Sequence, residues 1–275
     1  MAGLLLSVDL EDVRDGLSDG HRYEDRVVAN TGRYLDRFRD WGVQATFFVV
    51  GKVARRHPEL IMRILREGHE IGCHSDTHLQ LDSHTPQSLE ADLRANRGIL
   101  ESLGVSEIHG FRAPTFSLVA STSWAYRVLA DTGFTYSSSV LPARNPLYGW
   151  PEFGQRCKKI NGTVWEIPMT VAPLPGLRVP VAGGVYFRVL PFWFLQLVVR
   201  YCLRRQQVIT TYFHPYDIDT QQERFMHPDL HENRFYNWLM YLNRDKLLDR
   251  LDRLRRSCPV SSYGRYAAAL DSGGR

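Results

Sequence analysis

The chain has 275 residues, 44% hydrophobic and 23% charged, with a formal net charge of +4. That composition supports a sizeable core and excludes a disordered, collagen-like or coiled-coil chain, and the charge is too mild to point to nucleic acid. The four cysteines, Cys73, Cys157, Cys202 and Cys258, are scattered without a CxxC pair. Neither a disulfide framework nor a cysteine-rich zinc knuckle is expected, and a reducing compartment fits. The first residues meet acid at Asp9, too soon for an export signal, so the expected location is the cytoplasm.

Residues 4–9 read as a strand, and Val27–Trp41 as a helix that Gly42 stops. Residues 44–50 are rich in β-formers. Residues 58–67 form a helix with Pro58 in its first turn and Gly68 just past its end. A short strand at 70–74 precedes a helix at 86–103, for which Thr85 is the N-cap and Gly104 the stop. A strand at 108–112 and a helix at 121–131 follow. The Pro- and Gly-rich stretch 142–184 predicts loops with short strands. A helix at 192–206, a strand at 207–213 and a helix at 244–256 complete the pattern. Alternating strands and helices predict βαβ units around a mostly parallel sheet or barrel, and no linker divides residues 1–275. The most apolar run, 191–203, is interrupted by Arg200 and ended by Arg204 and Arg205. It is too short to span a membrane and reads first as a buried helix, second as a membrane-surface helix.

The chemistry-bearing residues follow the strands. Asp9, Glu11 and Asp12 stand after the first, with Asp9 and Glu11 on one face. Such a like-charged cluster is costly unless a cation sits among it. His74 and His78 follow the strand at 70–74, at a spacing that lets two imidazoles meet on one metal. His227 and His231 repeat the spacing as a lower-ranked site. Arg112, beside Pro114, ends another strand, where it can hold a carboxylate. His214 ends the strand at 207–213.

Taken in order, these motifs resemble the polysaccharide deacetylases, carbohydrate esterase family four. Ser7-Val8-Asp9 is similar to the start of that family's Thr-Phe-Asp-Asp, His74 to His78 to its His-Ser/Thr-x-x-His, Arg112-Ala113-Pro114 to Arg-x-Pro, and Phe213-His214-Pro215 to Leu-His-Pro. Residues 133–139 resemble Gly-Tyr-x-Tyr-Asp-Ser-Ser, with Ser137 where Asp is common. Residues 183–191 and 214–219 look like a signal-peptide-free branch that often accompanies exopolysaccharide biosynthesis genes.

The resemblance implies an α/β fold, the family's distorted (β/α) barrel, as one catalytic domain. It implies a metal-dependent carbohydrate N-deacetylase acting on an N-acetylated amino sugar, an oligosaccharide or a lipid-linked glycan. Asp9 would be the base, Arg112 its orienter and His214 the acid. His74, His78 and either Glu11 or Asp12 would hold one divalent ion, with zinc expected and cobalt, nickel or manganese as alternatives. In a second register Glu11 is the base and Asp12 the ligand. Thr115, after Pro114, would supply a backbone N–H to the oxyanion. Tyr136, Trp165 and Tyr186 are candidates for a sugar-cleft wall, with core packing the plainer role for each. Competing readings are a lipid-linked amino-sugar deformylase or deacetylase touching the membrane through 192–205, an allantoinase-like cyclic amide hydrolase, and a non-catalytic sugar-binding relative.

Overall fold

The computed structural model describes residues 2–273 apart from 146, 175, 176, 229 and 231. Its strands β1 (Leu4–Leu5) and β2 (Ser7–Leu10) are one nearly continuous segment at the centre of the fold. From β2 a sheet runs through β3 (Thr46–Val49), β4 (Glu70–Cys73), β5 (Gly110–Phe111), β6 (Tyr136–Ser137) and β8 (Val164–Glu166), all parallel. β7 (Lys158–Ile160) adds the antiparallel edge. On the other side β1 pairs with β11 (Ile209–Thr210) and β12 (Val260–Ser261), again in parallel. The β11 segment continues along β2 through a bridge between Val8 and Phe213.

The ring between β8 and β11 is closed without a regular ladder. Thr170 N–H donates to Thr210 Oγ1 at 2.7 Å, and Thr210 N–H donates to Thr170 Oγ1 at 2.9 Å. Side chains replace backbone pairing there, which is the distortion of the barrel. Beyond this seam β9 (Val171–Leu174) and β10 (Leu177–Pro180) form a separate hairpin.

Strand alternation sorts the side chains. Leu6, Val8, Leu10, Phe47, Val49, Ile71 and Cys73 belong to the outer core under the helices, whereas Leu5, Phe48 and Tyr136 fill the barrel. Two glycines make room inside. A Cβ on Gly72 would stand 2.8 Å from the Phe48 ring, and one on Gly110 would stand 2.2 Å from that of Tyr136. Tyr136 therefore packs in the barrel core and donates its hydroxyl to Glu70 at 2.5 Å; it does not wall a cleft.

The outer layer holds α1 (Val27–Trp41), α2 (Gly51–Arg56), α3 (Pro58–Arg66), α4 (Pro86–Ser102), α5 (Ala125–Asp131), α6 (Gly184–Val189), α7 (Phe192–Arg204), α8 (Arg234–Tyr241), α9 (Leu247–Arg255) and α10 (Tyr263–Asp271). α1 buries Tyr34, Leu35 and Phe38, each contributing on the order of 2 kcal/mol by area. Thr85 caps α4 in a capping box with Ser88, as its sequence predicts. α2, α6, α8 and α10 are additional to the sequence reading. α10 plugs the N-terminal end of the barrel: Tyr263 enters the inner core, and Gly264 N–H donates to Glu70 at 2.8 Å.

Candidate active site

The motif residues gather at the C-terminal ends of the strands, where (β/α) barrels place their chemistry. Ser7 and Asp9 share the inward face of β2. Arg112 Nη1 donates to Asp9 Oδ1 at 2.6 Å and to Ser7 Oγ at 2.7 Å, while its Nε donates to Ser138 O at 3.0 Å. The guanidinium lies 4.1 Å from the Phe48 ring centroid. Donors and cation are thus paired with both side chains buried, which a desolvated ion pair requires.

Glu11 follows one alternation later. Its Oε2 is 2.6 Å from His78 Nε2 and 3.7 Å from His74 Nε2. His74 Nδ1 lies 2.8 Å from the Arg112 carbonyl, which accepts its proton and leaves Nε2 as the ligand atom. One ligand atom from each of Glu11, His74 and His78 lies within 4.8 Å of the other two. Two imidazoles and a carboxylate at this separation suit a divalent ion with open positions for water and substrate. Burial alone would raise the Glu11 pKa, but the neighbouring His78 and His214 hold it well below the usual value.

Asp12 is placed elsewhere. Its carboxylate receives Arg14 Nη2 and Arg56 Nη1, both at 2.6 Å, and caps the 3-10 turn Val13–Gly16. Two guanidiniums occupy its oxygens, so the acid beside the histidines is Glu11.

The histidine loop is shaped by α4. Asp92 accepts from the backbone N–H of Asp76 and Thr77, and Asn96 donates to the carbonyls of Val49 and Ser75. Ser75 and His78 adopt left-handed φ of 67° and 62°, which folds His78 back toward His74 at 5.0 Å between rings. Neither α4 side chain was a sequence candidate. Cys73 points into the outer core, and burial pushes its thiol pKa well up.

His214 stands opposite. Its Nδ1 lies 2.9 Å from Asp217 Oδ2, and Asp217 in turn pairs with Arg188 at 2.9 Å, both side chains fully buried. Its Nε2 faces Glu11 Oε1 at 3.8 Å. Burial would lower the His214 pKa, but Glu11 and Asp217 override it and raise it to about 9. Tyr216 stacks on the ring at 4.6 Å, and its hydroxyl points to Glu11 at 3.4 Å. The carboxylate that orients the histidine is therefore Asp217, three residues on. Ser137 instead donates to Ser139 at 2.7 Å in the core.

Pro114 opens a 3-10 turn in which Thr115 and Phe116 have φ of 52° and 56°. That strained turn sits directly after Arg112. The aromatic wall beside it is Phe116 against Tyr212, 4.7 Å between rings, with Tyr212 also 5.8 Å from His214. Tyr212 precedes His214 by two on one strand, so alternation was the signal for it. Trp165 instead donates to Asp271 at 2.9 Å, on the α10 side and away from these groups. Tyr186 is half-buried on α6, and burial raises its hydroxyl pKa. His227 is caged by Tyr216, Phe225 and Tyr241 beside Arg244, and burial drives its pKa to about 3; His231 lies outside the described residues.

A parallel barrel carrying a buried Asp–Arg pair, a Glu-His-His cluster and a carboxylate-held histidine offers the parts that metal-assisted hydrolysis needs. Residues 19–137 match the polysaccharide deacetylase family, and residues 138–268 match a domain of unknown function, DUF3473. Over the first of these segments the chain is similar to the polysaccharide deacetylases. The match holds His74, His78 and Arg112; Asp9 and Glu11 precede it, and His214 lies in the second segment. A peptidoglycan-N-acetylglucosamine deacetylase of Bacillus cereus is 37% identical over 84 residues, 30% of this chain and 39% of that one. The match thus spans about two fifths of that relative's length. A Mycobacterium smegmatis structure described as a polysaccharide deacetylase superposes with TM-score 0.63 at 18% identity, covering 98% of this chain and 90% of that one. The Puue allantoinase superposes with TM-score 0.62 at 14% identity, covering 98% and 90%. These superpositions show that the fold is the distorted (β/α) barrel shared by these structures.

Proposed function

We propose that the protein is a metal-dependent hydrolase that removes the N-acetyl group from an amino sugar in a polysaccharide or glycan precursor. The observation that carries this reading is the convergence of Asp9, the Glu11–His74–His78 cluster and His214 on one end of the barrel. A relative named for N-acetylglucosamine supports the acetamide as the bond cut.

Glu11, His74 and His78 would hold the ion, zinc by the nature of the donors. When bound, a divalent ion supplies Lewis acidity that polarises an amide carbonyl and acidifies water. Asp9, fixed by Arg112, takes the proton of the attacking water. Its carboxylate cannot swing away, because Arg112 is itself held by Ser7, Ser138 and Phe48. In this reading the backbone N–H of Thr115 receives the oxyanion. Glu11 and Asp217 favour the protonated form of His214, which gives its proton to the departing amine, a poor leaving group without one. Phe116, Tyr212 and Tyr186 supply apolar faces for a sugar ring.

Acetate release from N-acetylglucosamine oligomers tests the reading, with allantoin as the competing substrate. Acetate from the sugar and none with Asp9→Asn supports it. Allantoin turnover, or no acetate from free, nucleotide-linked, lipid-linked or polymeric amino sugars in the presence of zinc, overturns it.

A further inference from the structure

Helix α7 is apolar on two faces. Leu195, Val198, Val199 and Cys202 are buried against the outer core. The opposite face carries Trp193, Leu197, Arg200, Tyr201 and Arg204 at successive helical spacings. Trp193 is 63% exposed, Leu197 52% and Tyr201 38%. The outward stripe of a helix on a water-soluble domain is ordinarily polar. Among the described residues every exposed tryptophan, tyrosine and phenylalanine lies on α7 or on α8.

The charge along this segment is one-sided. Residues 191–216 contain no Asp or Glu, while Arg200, Arg204 and Arg205 are exposed at the C-terminal end. The Arg205 guanidinium lies 5.3 Å from the Tyr201 ring. A second copy of the chain packed on this face would offer the three arginines no acidic partner from its own α7, since residues 191–216 hold none. A glycan would use the aromatic rings but has no use for Leu197 or three cations. An anionic bilayer uses every part: Trp193 and Leu197 enter the acyl boundary, and the arginines meet lipid phosphates.

We propose that α7 docks the protein on an anionic membrane surface, through Trp193 and Leu197 as apolar anchors and Arg200, Arg204 and Arg205 as phosphate contacts. This inference stands apart from the deacetylase reading, because its readout involves no turnover. The helix is one of the elements around the barrel and its anchors are exposed, so changing them leaves the core intact.

The experiment is co-sedimentation of the full chain with vesicles of phosphatidylcholine alone and of phosphatidylcholine with phosphatidylglycerol. Binding is expected only with the anionic vesicles, weakened by salt. The triple variant Arg200→Gln, Arg204→Gln, Arg205→Gln should bind on the order of a hundredfold more weakly. The double variant Trp193→Ser, Leu197→Ser should lose binding while melting like the wild type. Equal recovery with and without vesicles overturns the proposal. So does binding that both variants retain, or a wild-type dimer in sedimentation that the double variant abolishes while vesicles bind neither.

Discussion

Asp9 Oδ1 and Arg112 Nη1 lie 2.6 Å apart with 3% and 0% of their side chains exposed. An ion pair this deep owes its persistence to the further bonds on the guanidinium, since desolvation otherwise exceeds the Coulomb gain. The same bonds fix where the base stands. Asp9→Asn keeps the shape and an acceptor for Arg112 but loses the base. Turnover should fall by about a hundred- to ten-thousandfold, with metal content unchanged by elemental analysis. Arg112→Met strands a buried carboxylate and should cost about 3–5 kcal/mol in urea unfolding.

Glu11 and Asp12 are neighbours with opposite duties. Glu11→Gln should lose stoichiometric metal and activity, with little change in melting of the apoprotein. Asp12→Asn should retain metal, because its carboxylate serves Arg14 and Arg56. It should instead lower the melting temperature by loosening the 3-10 turn. Equal metal loss in both variants would restore Asp12 as a ligand.

The sequence shows why one of these neighbours was legible and the other was not. Alternation along β2 puts Glu11 on the face of Asp9, a local rule. Asp12 is claimed by two partners, Arg14 two residues on and Arg56 44 residues away, and no local pattern announces the second. Strand ends were readable where Pro114 and Pro215 punctuate them, which placed Arg112 and His214 on the barrel rim, and the short apolar run before His74 did the same there. Barrel interior and cleft were not separable by residue type. Tyr136 and Tyr212 look alike in sequence; the first fills the space left by Gly110, and the second stands beside His214. α10 was missed because Gly264 weakens its pattern, yet a side chain there would meet Glu70 at 2.3 Å.

Gly72 and Gly110 give a direct test of the interior. Gly72→Ala drives a methyl into Phe48, and Gly110→Ala drives one into Tyr136. Each should destabilise by about 1–3 kcal/mol, measured by chemical denaturation. Gly98→Ala, which meets nothing within 4 Å on α4, should be neutral or stabilising by up to about 1 kcal/mol.

Stability should depend on pH through His69. Its Nδ1 accepts from Ala45 N–H at 3.2 Å between the rings of Phe38 and Phe47, and burial lowers its pKa to about 4. Below about pH 6.5 the unfolded chain takes up a proton that the native imidazole refuses. Stability should therefore fall as pH drops from about 6.5 to 4, and this contribution should level off below. The loss assigned to this group is roughly 3 kcal/mol. Urea titrations across that range should show a shallower acid limb for His69→Gln, whose amide oxygen can accept from Ala45 and does not titrate. An unchanged slope would remove His69 from the account.

Asp217 offers the sharpest separation of positioning from chemistry. It does not face the cluster; it receives Arg188 on one oxygen and His214 on the other. Asp217→Asn keeps the volume but removes the charge that favours the protonated ring. The alkaline limb of kcat should move to lower pH, because His214 then loses its proton earlier, while KM for an N-acetylated oligosaccharide stays near the wild-type value. Arg188 would be left buried without its carboxylate, so a stability loss of about 3–5 kcal/mol should accompany the shift. Arg188→Lys provides the control. It retains a cation beside Asp217 but gives up bonds to the carbonyls of Met240 and Leu242. Its melting temperature should fall while the alkaline limb stays in place. A limb that moves equally in both variants would mean that packing, rather than the Asp217 charge, governs His214.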